Sequence, residues 1–180
     1  YSERKKFAVY TRYRREQKMQ DLSVSPGSVK VQESICRRTF RVHLESKISD
    51  VISIHSRVES SLYSGNNKSS KGILLFQDFV YSGFKKTTVT CRLSYFSTDD
   101  YDSRIYAYES DVMYSFSVPA FQNEGTRFYV LLKYKVSKRL DLWAKVAQTS
   151  YFNIETISSG NDLINGSKVT DIKLQARFIF

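Results

Sequence analysis

The last ten residues of the chain alternate almost without a break between apolar and polar side chains. The apolar series is Ile172, Leu174, Ala176, Phe178 and Phe180, and the polar series is Asp171, Lys173, Gln175 and Arg177. Successive side chains of an extended strand point to opposite faces, so one face of this segment is wholly apolar and the other carries charge. The pattern predicts a β-strand that separates an apolar environment from a polar one.

The same period of two recurs through most of the chain and predicts about nine strands. They cover residues 6–15, 39–45, 52–59, 72–81, 88–95, 106–118, 127–136, 142–149 and 171–180. The 13 tyrosines and 12 phenylalanines favour strands, and no stretch has the spacing of a long amphipathic helix. We therefore expect an all-β, antiparallel fold, with a flexible loop at residues 65–72 and a long extracellular loop at residues 158–167.

Strand length separates a membrane barrel from a soluble β-sandwich, which shows the same alternation. A tilted strand needs about 9 to 11 residues to cross the hydrocarbon layer, and several of these segments reach that length. No apolar run approaches the roughly 20 residues that a membrane-spanning helix needs. We therefore predict a transmembrane β-barrel, with a soluble β-sandwich binding domain as an alternative.

The strand number and the start of the chain bear on domain organisation. Bacterial single-chain barrels have even strand numbers, so nine strands favour a piece of a larger barrel, unless one segment conceals two strands or one is a loop. The chain begins with Tyr1 and shows no secretory signal, although an outer-membrane protein must be exported. We expect residues 1–180 to form a single β-barrel domain, or the carboxy-terminal portion of one, from a longer precursor.

Two sets of side chains are expected to mark the two surfaces of such a barrel. An aromatic girdle at the lower membrane interface is predicted from Tyr95, Tyr106, Tyr134, Trp143, Phe178 and Phe180. The polar strand faces carry charges of both signs, which would pair inside a narrow barrel. The predicted lumenal charges are Arg92, Glu109, Asp111, Lys133, Lys135, Lys145, Lys173 and Arg177.

The formal net charge of +10 is compatible with an anionic partner. The basic stretch from Arg4 to Lys18, with Tyr10 and Tyr13, has the residue types that contact a nucleic-acid backbone and stack on bases. Most lysines and arginines, however, alternate with apolar residues along strands and should share one face of a sheet. We therefore favour a lumenal or rim position, where basic residues also meet lipid phosphates, over nucleic-acid binding.

Two histidines are the candidates for catalysis. His43 and His55 are predicted on the polar faces of neighbouring strands, near Ser53, Ser56 and Glu45. These residue types make a Ser-His-acid hydrolase an alternative, but no motif sets the geometry that nucleophilic catalysis needs. We expect two lumenal or surface histidines and no catalytic centre.

The acidic residues and the cysteines are the candidates for metal and disulfide sites. Asp99, Asp100 and Asp102 could bind calcium, but they lack the glycine and terminal glutamate of an EF-hand loop, so we predict that they cap a turn. Cys36 and Cys91 show no zinc-binding spacing and fall on the apolar faces of their strands. We expect lipid-facing or core thiols, with a disulfide as the alternative, and no metal or cofactor.

The carboxy terminus resembles the β-signal of outer-membrane barrels, in which alternating apolar residues end on an aromatic residue. The matching positions are Leu174, Ala176, Phe178 and Phe180. The resemblance implies that the barrel-assembly machinery binds this end during insertion, that the carboxy terminus faces the periplasm, and that outer-membrane lipid, including lipopolysaccharide, surrounds the protein.

A wider part of the chain resembles a group of outer-membrane proteins of the Bacteroidota that carry an amino-terminal helix-hairpin-helix segment. The resemblance covers about residues 87–180 and rests on residues 104–111, 125–129, 158–162, Gly166 and residues 174–178. The helix-hairpin-helix segment has no counterpart here, so no DNA-related role is carried over. The resemblance implies a Gram-negative envelope location and a barrel architecture.

These inferences predict an outer-membrane β-barrel protein with a structural or accessory role in an envelope complex and no catalytic activity. The alternatives are a channel for small solutes, anions among them, an outer-membrane barrel hydrolase, and the soluble β-sandwich domain.

Overall fold

The computed structural model describes residues 7–21, 32–65, 68–158 and 160–180, in which twelve strands are formed. They are β1 (Phe7–Asp21), β2 (Gln32–Lys47), β3 (Ile52–Gly65), β4 (Lys68–Tyr81), β5 (Thr87–Thr98), β6 (Ile105–Tyr106), β7 (Ala120–Phe121), β8 (Glu124–Lys135), β9 (Leu140–Tyr151), β10 (Thr156–Ile157), β11 (Ile164–Asn165) and β12 (Lys168–Phe178). Two 3-10 helices lie at Tyr101–Ser103 and Gly160–Asp162.

Eight long strands form one antiparallel sheet in the order β1-β2-β3-β4-β5-β8-β9-β12. Each strand pairs with its neighbour in this series, and β1 and β12 are the two edges of an open sheet. These strands have 11 to 16 residues, which is enough for each to cross a bilayer at a tilt. The sheet thus has the strand lengths and simple up-and-down order of a membrane barrel.

Residues 99–123, which we call the inserted segment, connect β5 to β8 without joining the sheet. The two strands pair directly, from Thr87 opposite Tyr134 to Ser97 opposite Glu124. The inserted segment contains its own two-stranded pair, β6 with β7, and folds against one face of the sheet. We call the covered face the inner face and the opposite one the outer face.

The outer face follows from the alternation in the sequence. Across β8, β9 and β12, Val130 pairs with Val146 and Val146 with Ile172, so their side chains form one apolar row. All three side chains are exposed, as are Leu93 and Phe128 on the same face. A contiguous patch of exposed apolar side chains of this kind indicates a surface that contacts lipid or another apolar partner.

The apolar core lies between the inner face and the inserted segment. One cluster joins sheet residues to Ile105, Ala107 and Phe121 of the inserted segment, and its sheet members are Leu74, Phe76 and Phe96. A second cluster packs Val112 onto β8 and β9, where its partners are Tyr129, Leu131, Trp143 and Ala147. Burial of each large apolar side chain contributes about 1.5–3 kcal/mol, so these contacts hold the inserted segment on the sheet.

The two ends of the sheet differ in their connections. At the turn end, residues 48–51, 82–86 and 136–139 form short connections, and β12 also ends there. At the loop end, the inserted segment and residues 152–167 are long, whereas β3 and β4 are joined by only two residues. Most of the described residues outside the sheet therefore lie at the loop end.

Three predictions from the sequence are corrected here. The predicted strand at residues 106–118 is wrong, because these residues lie in the inserted segment, where Tyr106 ends the short strand β6 and Glu109 forms an isolated bridge with Ser117. The predicted loop at residues 65–72 is wrong for its described residues, because β3 continues to Gly65 and β4 begins at Lys68; residues 66 and 67 lie outside the described part of the chain. The first predicted strand continues beyond residue 15 to Asp21, and its predicted start at Lys6 lies outside the described residues.

Within the part of the chain that the structure describes, no helix has the length and apolar character needed to cross a membrane.

Candidate functional site

The inserted segment carries a glutamate into the centre of the inner face. Glu109 is completely buried, and its carboxylate accepts two hydrogen bonds from Arg127 of β8, at 2.8 and 3.0 Å. Arg127 also donates to the hydroxyl of Thr149 at 2.8 Å, and the Lys145 ammonium lies 3.5 Å from the Glu109 carboxylate. Because both charges are out of water, each depends on the other for stabilisation.

A second carboxylate, that of Asp111, lies beside the first. It accepts a hydrogen bond from Lys173 of β12 at 2.6 Å and lies 3.6 Å from the Lys145 ammonium. Burial acts to raise the pKa of Asp111, but the hydrogen bonds from Lys173 and the Val112 amide, with the charge of Lys145, leave it lowered. We call Glu109, Asp111, Arg127, Lys145 and Lys173 the inner ion-pair cluster.

The strand register explains why the two carboxylates are needed. Lys145 and Lys173 are direct partners on β9 and β12, and like charges in that position repel each other. Asp111 contacts both ammonium groups and offsets this repulsion. The inserted segment is therefore held to three consecutive strands by charge as well as by apolar packing.

Arg92 of β5 forms a second anchor for the inserted segment. It is buried, donates to Asp78 of β4 at 2.7 Å and donates to the backbone carbonyl of Tyr108 at 2.6 Å. Its guanidinium lies 3.8 Å from the centroid of the Phe76 ring and 5.5 Å from that of Tyr129. The charge is thus satisfied by a carboxylate, a carbonyl and two aromatic faces.

Trp143 lies under the inserted segment near the turn end. Its indole is 6% exposed and packs in the cluster that contains Val112. The Arg177 guanidinium and the Lys133 ammonium each lie 5.6 Å from the indole centroid, and Arg177 also pairs with Asp141. Cations on the inner face therefore surround an indole that faces away from the lipid side.

The predicted lumenal charges fall on the inner face or on the segment that covers it. Arg92, Lys133, Lys135, Lys145, Lys173 and Arg177 occupy inner-facing positions of their strands, and Glu109 and Asp111 come from the inserted segment. Lys133 and Lys135 are exposed, whereas Arg92 and Lys145 are buried. The burial therefore follows the course of the inserted segment.

The predicted aromatic girdle is divided among three places. Tyr134, Phe178 and Phe180 gather at the turn end, where the last two rings lie 5.2 Å apart. Tyr95 pairs with Thr126 towards the loop end, and Tyr106 belongs to the inserted segment. Trp143 is on the inner face. The girdle prediction is therefore wrong for Tyr95, Tyr106 and Trp143, because the predicted turn after Tyr95 is at the opposite end of the sheet. The predicted assembly signal places Leu174, Ala176 and Phe178 on the outer face of β12, followed by Phe180.

The two histidines lie together on the inner face, with ring centroids 6.3 Å apart. His43 contacts the Glu45 carboxylate at 3.2 Å and accepts a hydrogen bond from Arg57 at 3.3 Å. Ser56 occupies an outer-facing position and donates to Gln77, so its hydroxyl is on the wrong side of β3 to be activated by a histidine. Ser53 occupies an inner-facing position and lines one pocket with Glu45 and His55. Among the described residues, neither Ser53 nor Ser56 hydrogen-bonds to a histidine, so no activated serine is formed, and the hydrolase stays an untested alternative.

The acidic cluster forms a turn at the loop end. The Asp100 carboxylate accepts the backbone amides of Asp102 at 2.9 Å and Ser103 at 3.1 Å, and caps the first 3-10 helix. Burial acts to raise the pKa of Asp100, but the hydrogen bond from Lys68 and the capping bonds lower it to about 2. Among the described residues, no group of three or more acidic, histidine or cysteine side chains is placed to hold a metal.

Cys36 and Cys91 occur on the outer faces of β2 and β5, and both are free thiols. Two strands, β3 and β4, separate them in the sheet, so the disulfide alternative is not realised.

Comparisons with known proteins identify the fold. No family model and no curated protein matches the chain. Two solved structures do: in-vitro folded OmpT, an outer membrane protein of Vibrio cholerae, with TM-score 0.58, and its loop L8 deletion mutant, with TM-score 0.56. Each is 14% identical to this chain; they cover 97% and 96% of it respectively, and it spans 52% and 49% of their lengths.

The open sheet is therefore part of a transmembrane β-barrel. The chain spans about half the length of the solved barrels that it matches, in agreement with two unpaired edge strands. The inner face corresponds to a lumen wall and the outer face to the lipid side.

Proposed function

We propose that this chain is a wall of an outer-membrane β-barrel with a structural or accessory role in the cell envelope and no catalytic activity. The observation that carries the proposal is the buried contact of Glu109 with Arg127, which fixes the inserted segment across the lumen side of the sheet. A lumen that is narrowed by its own chain favours a structural role over a wide pore. The surrounding partners are outer-membrane lipid, including lipopolysaccharide, and other envelope proteins.

The membrane location is supported by the outer face. Phe40, Leu93 and Ile172 are exposed there although each strand also has a polar face that water could hydrate. The protein is expected to sediment with outer membranes and to require detergent after extraction. A purified protein that stays monodisperse in plain buffer would contradict the lipid contact of this face.

An orientation with the carboxy terminus in the periplasm is supported by the two sheet ends. Outer-membrane barrels have short periplasmic turns and longer extracellular loops. The turn end, where β12 ends, has the short connections 48–51, 82–86 and 136–139. In a variant with both native cysteines replaced by serine, a membrane-impermeant maleimide added to intact cells should label Asn161→Cys but not Ser137→Cys. The reverse labelling would invert the orientation.

Conductance across planar bilayers tests the closed lumen. The wild-type protein is expected to show little conductance, because the inserted segment is anchored by the inner ion-pair cluster. The double variant Glu109→Ala, Asp111→Ala removes both carboxylates from that cluster and should raise conductance. A matched double variant in exposed acids, Asp50→Ala with Glu155→Ala, should behave as the wild type. High conductance of the wild type would favour the second candidate function.

The second candidate is a channel for small anionic solutes. It is favoured by basic inner-face residues that the inserted segment leaves exposed, among them Arg12, Arg14 and Lys18 on β1. An anion-selective reversal potential in a salt gradient would support this candidate, and a closed wild-type protein would exclude it. Copurification of a stoichiometric envelope protein after mild detergent extraction would support the accessory role.

A further inference from the structure

An arginine-lined cleft lies on the inner face beside the inserted segment, away from the inner ion-pair cluster. It has a volume of about 160 Å³ and is bordered by β1, β2, β3 and residues 104–106. Its lining includes five arginines, Arg12, Arg14, Arg37, Arg41 and Arg104. Among the described residues, only two carboxylates, Glu16 and Glu59, line the same cleft. The wall of this cleft therefore has a large excess of positive charge.

The contacts of these arginines show where the excess lies. Arg41 is matched by Glu59, with hydrogen bonds of 2.8 and 2.9 Å, and Arg14 by Glu16 at 3.1 Å. Arg37 and Arg104 donate to backbone carbonyls and a tyrosine hydroxyl, which carry no formal charge. Among the described residues, Arg12 has no carboxylate partner. Three positive charges are thus left without a matching negative charge.

The strand register adds a second, independent observation. Arg12 and Arg41 are direct partners on β1 and β2, and both are inner-facing. Like charges directly opposite each other on neighbouring strands destabilise the pair. In the inner ion-pair cluster, the same kind of clash between Lys145 and Lys173 is offset by Asp111. No described carboxylate bridges Arg12 to Arg41 in the cleft, so an anion bound between them would offset their repulsion.

We propose that this cleft binds a phosphate-class oxyanion. Guanidinium groups bind phosphate and carboxylate oxygens through paired hydrogen bonds. One arginine can bind both oxygens of a carboxylate. Guanidiniums from β1, β2 and the inserted segment border the cleft, and their three unmatched charges exceed the roughly two negative charges of an ionised phosphoryl group, so such an anion would be fully neutralised. The tetrahedral anion fits this arrangement better than a planar carboxylate. The inference goes beyond the proposed structural role and holds for a closed or an open lumen.

Access to the cleft is provided from the loop end. A larger cleft of about 620 Å³ shares Glu16, Arg37 and Arg104 with the first and continues past Lys18 and Tyr101. A solute that enters the lumen at the loop end passes Lys18, with Asp21 and Asp102 in the same lining, before it reaches the arginines. The source of the phosphoryl group is therefore either a soluble phosphate compound or a lipid headgroup that reaches the lumen rim, and the test separates these sources.

The test measures binding of inorganic phosphate to the folded protein in detergent by isothermal titration calorimetry at low salt. Binding is expected for the wild type and should weaken by about tenfold or more in Arg12→Gln, which removes one charged donor. Arg15→Gln is the matched control, since it removes the same charge from the outer-facing side of β1. Arg104→Gln, which lies outside the long sheet, serves as a second variant if the first does not fold.

Each outcome of the titration decides the proposal. Loss of phosphate binding in Arg12→Gln or Arg104→Gln, with binding kept in Arg15→Gln, supports it. Absence of binding to the wild type, equal loss in Arg15→Gln, or equal affinity for acetate would overturn it. Repetition in phosphatidylcholine vesicles, with and without a lipid that bears a phosphomonoester, distinguishes the sources: competition by the lipid assigns the site to a headgroup, and unchanged phosphate binding assigns it to a soluble compound.

Discussion

Replacement of Glu109 by alanine is expected to release the inserted segment from the sheet. Removal of one partner of a buried ion pair costs about 3–5 kcal/mol, because the other charge is left buried and unpaired. In Glu109→Ala, Arg127 would keep its hydrogen bond to Thr149 and its approach to Asp171 at 3.7 Å, which favours the lower end of that range. A loss of about 3 kcal/mol changes the ratio of docked to undocked segment by roughly a hundredfold.

The single tryptophan of the chain provides the assay. Trp143 is 6% exposed and lies under the inserted segment next to Val112. Undocking of the segment should shift its fluorescence to longer wavelength and raise its quenching by acrylamide. Glu155→Ala, in an exposed position, is the control and should leave both unchanged.

Two further results would refute the reasoning about the buried pair. A Trp143 that stays shielded from acrylamide in Glu109→Ala would show that apolar packing alone holds the segment. The double variant Glu109→Leu, Arg127→Leu removes both charges and should be more stable than Glu109→Ala, because apolar replacement of a whole buried pair is close to neutral. A double variant that is less stable than the single one would contradict the assignment of the loss to an unpaired charge.

Four other changes have defined outcomes. Gly125→Val places a Cβ atom 2.4 Å from a backbone carbonyl of β9, and this overpacking should lower stability against urea by about 1–3 kcal/mol. Val146→Arg puts a charge on the outer face and should cost about 2–4 kcal/mol of folding free energy in vesicles if the site is near the midplane. Deletion of Phe180 should reduce the amount of protein assembled in the outer membrane, with refolding in detergent unchanged. The pKa of Asp111 is lowered from 3.8, so its stabilising contact is present above that value and is lost as the pH falls through the lower folded pKa; Trp143 should therefore stay shielded at pH 5 and become accessible only in stronger acid.

Matched controls accompany these measurements. Gly160→Ala leaves open space around the new Cβ, although its positive φ adds some strain, so its loss should be smaller than that of Gly125→Val. Gln148→Arg, one outer position nearer the loop end than Val146, should be tolerated better than Val146→Arg. Equal loss in each pair would contradict the packing and membrane-depth arguments. Deletion of Phe180 that also prevents refolding in detergent would show a structural role instead of an assembly signal.

Much of the sheet could be predicted from the period of two. The alternation predicted β8, β9 and β12 and the face on which each of their side chains lies. This works because one face of each strand contacts an apolar environment and the other a polar one, so residue types alternate with the faces. Alternation gave a wrong prediction at residues 106–118. There Ala107 and Val112 are buried against the sheet, and Glu109 is buried beside positively charged side chains. A loop that packs against both apolar and charged groups has the same sequence pattern as a strand. The direct pairing of β5 with β8 in the structure shows that these residues form a loop.

The candidate sites needed the register and the path of the chain. The sequence identified Glu109, Lys145 and Lys173 as lumenal charges, but their partners depend on where the inserted segment crosses the sheet. The arginine cleft was missed because Arg12 and Arg41 belong to separate strands and meet only through the β1–β2 register. Tyr114 has a φ of 63°, a left-handed conformation that interrupts a continuous strand. A tyrosine at this position does not predict such a conformation.

The position of the inserted segment also constrains the order of biogenesis. Residues 99–123 lie on the lumen side of the open sheet. Glu109 and Asp111 bind them to β8, β9 and β12 through ion pairs. If further strands join the two edges into a closed barrel, the folded segment could reach these binding residues only through an open end of that barrel. We therefore expect the segment to dock on β8, β9 and β12 before the barrel closes.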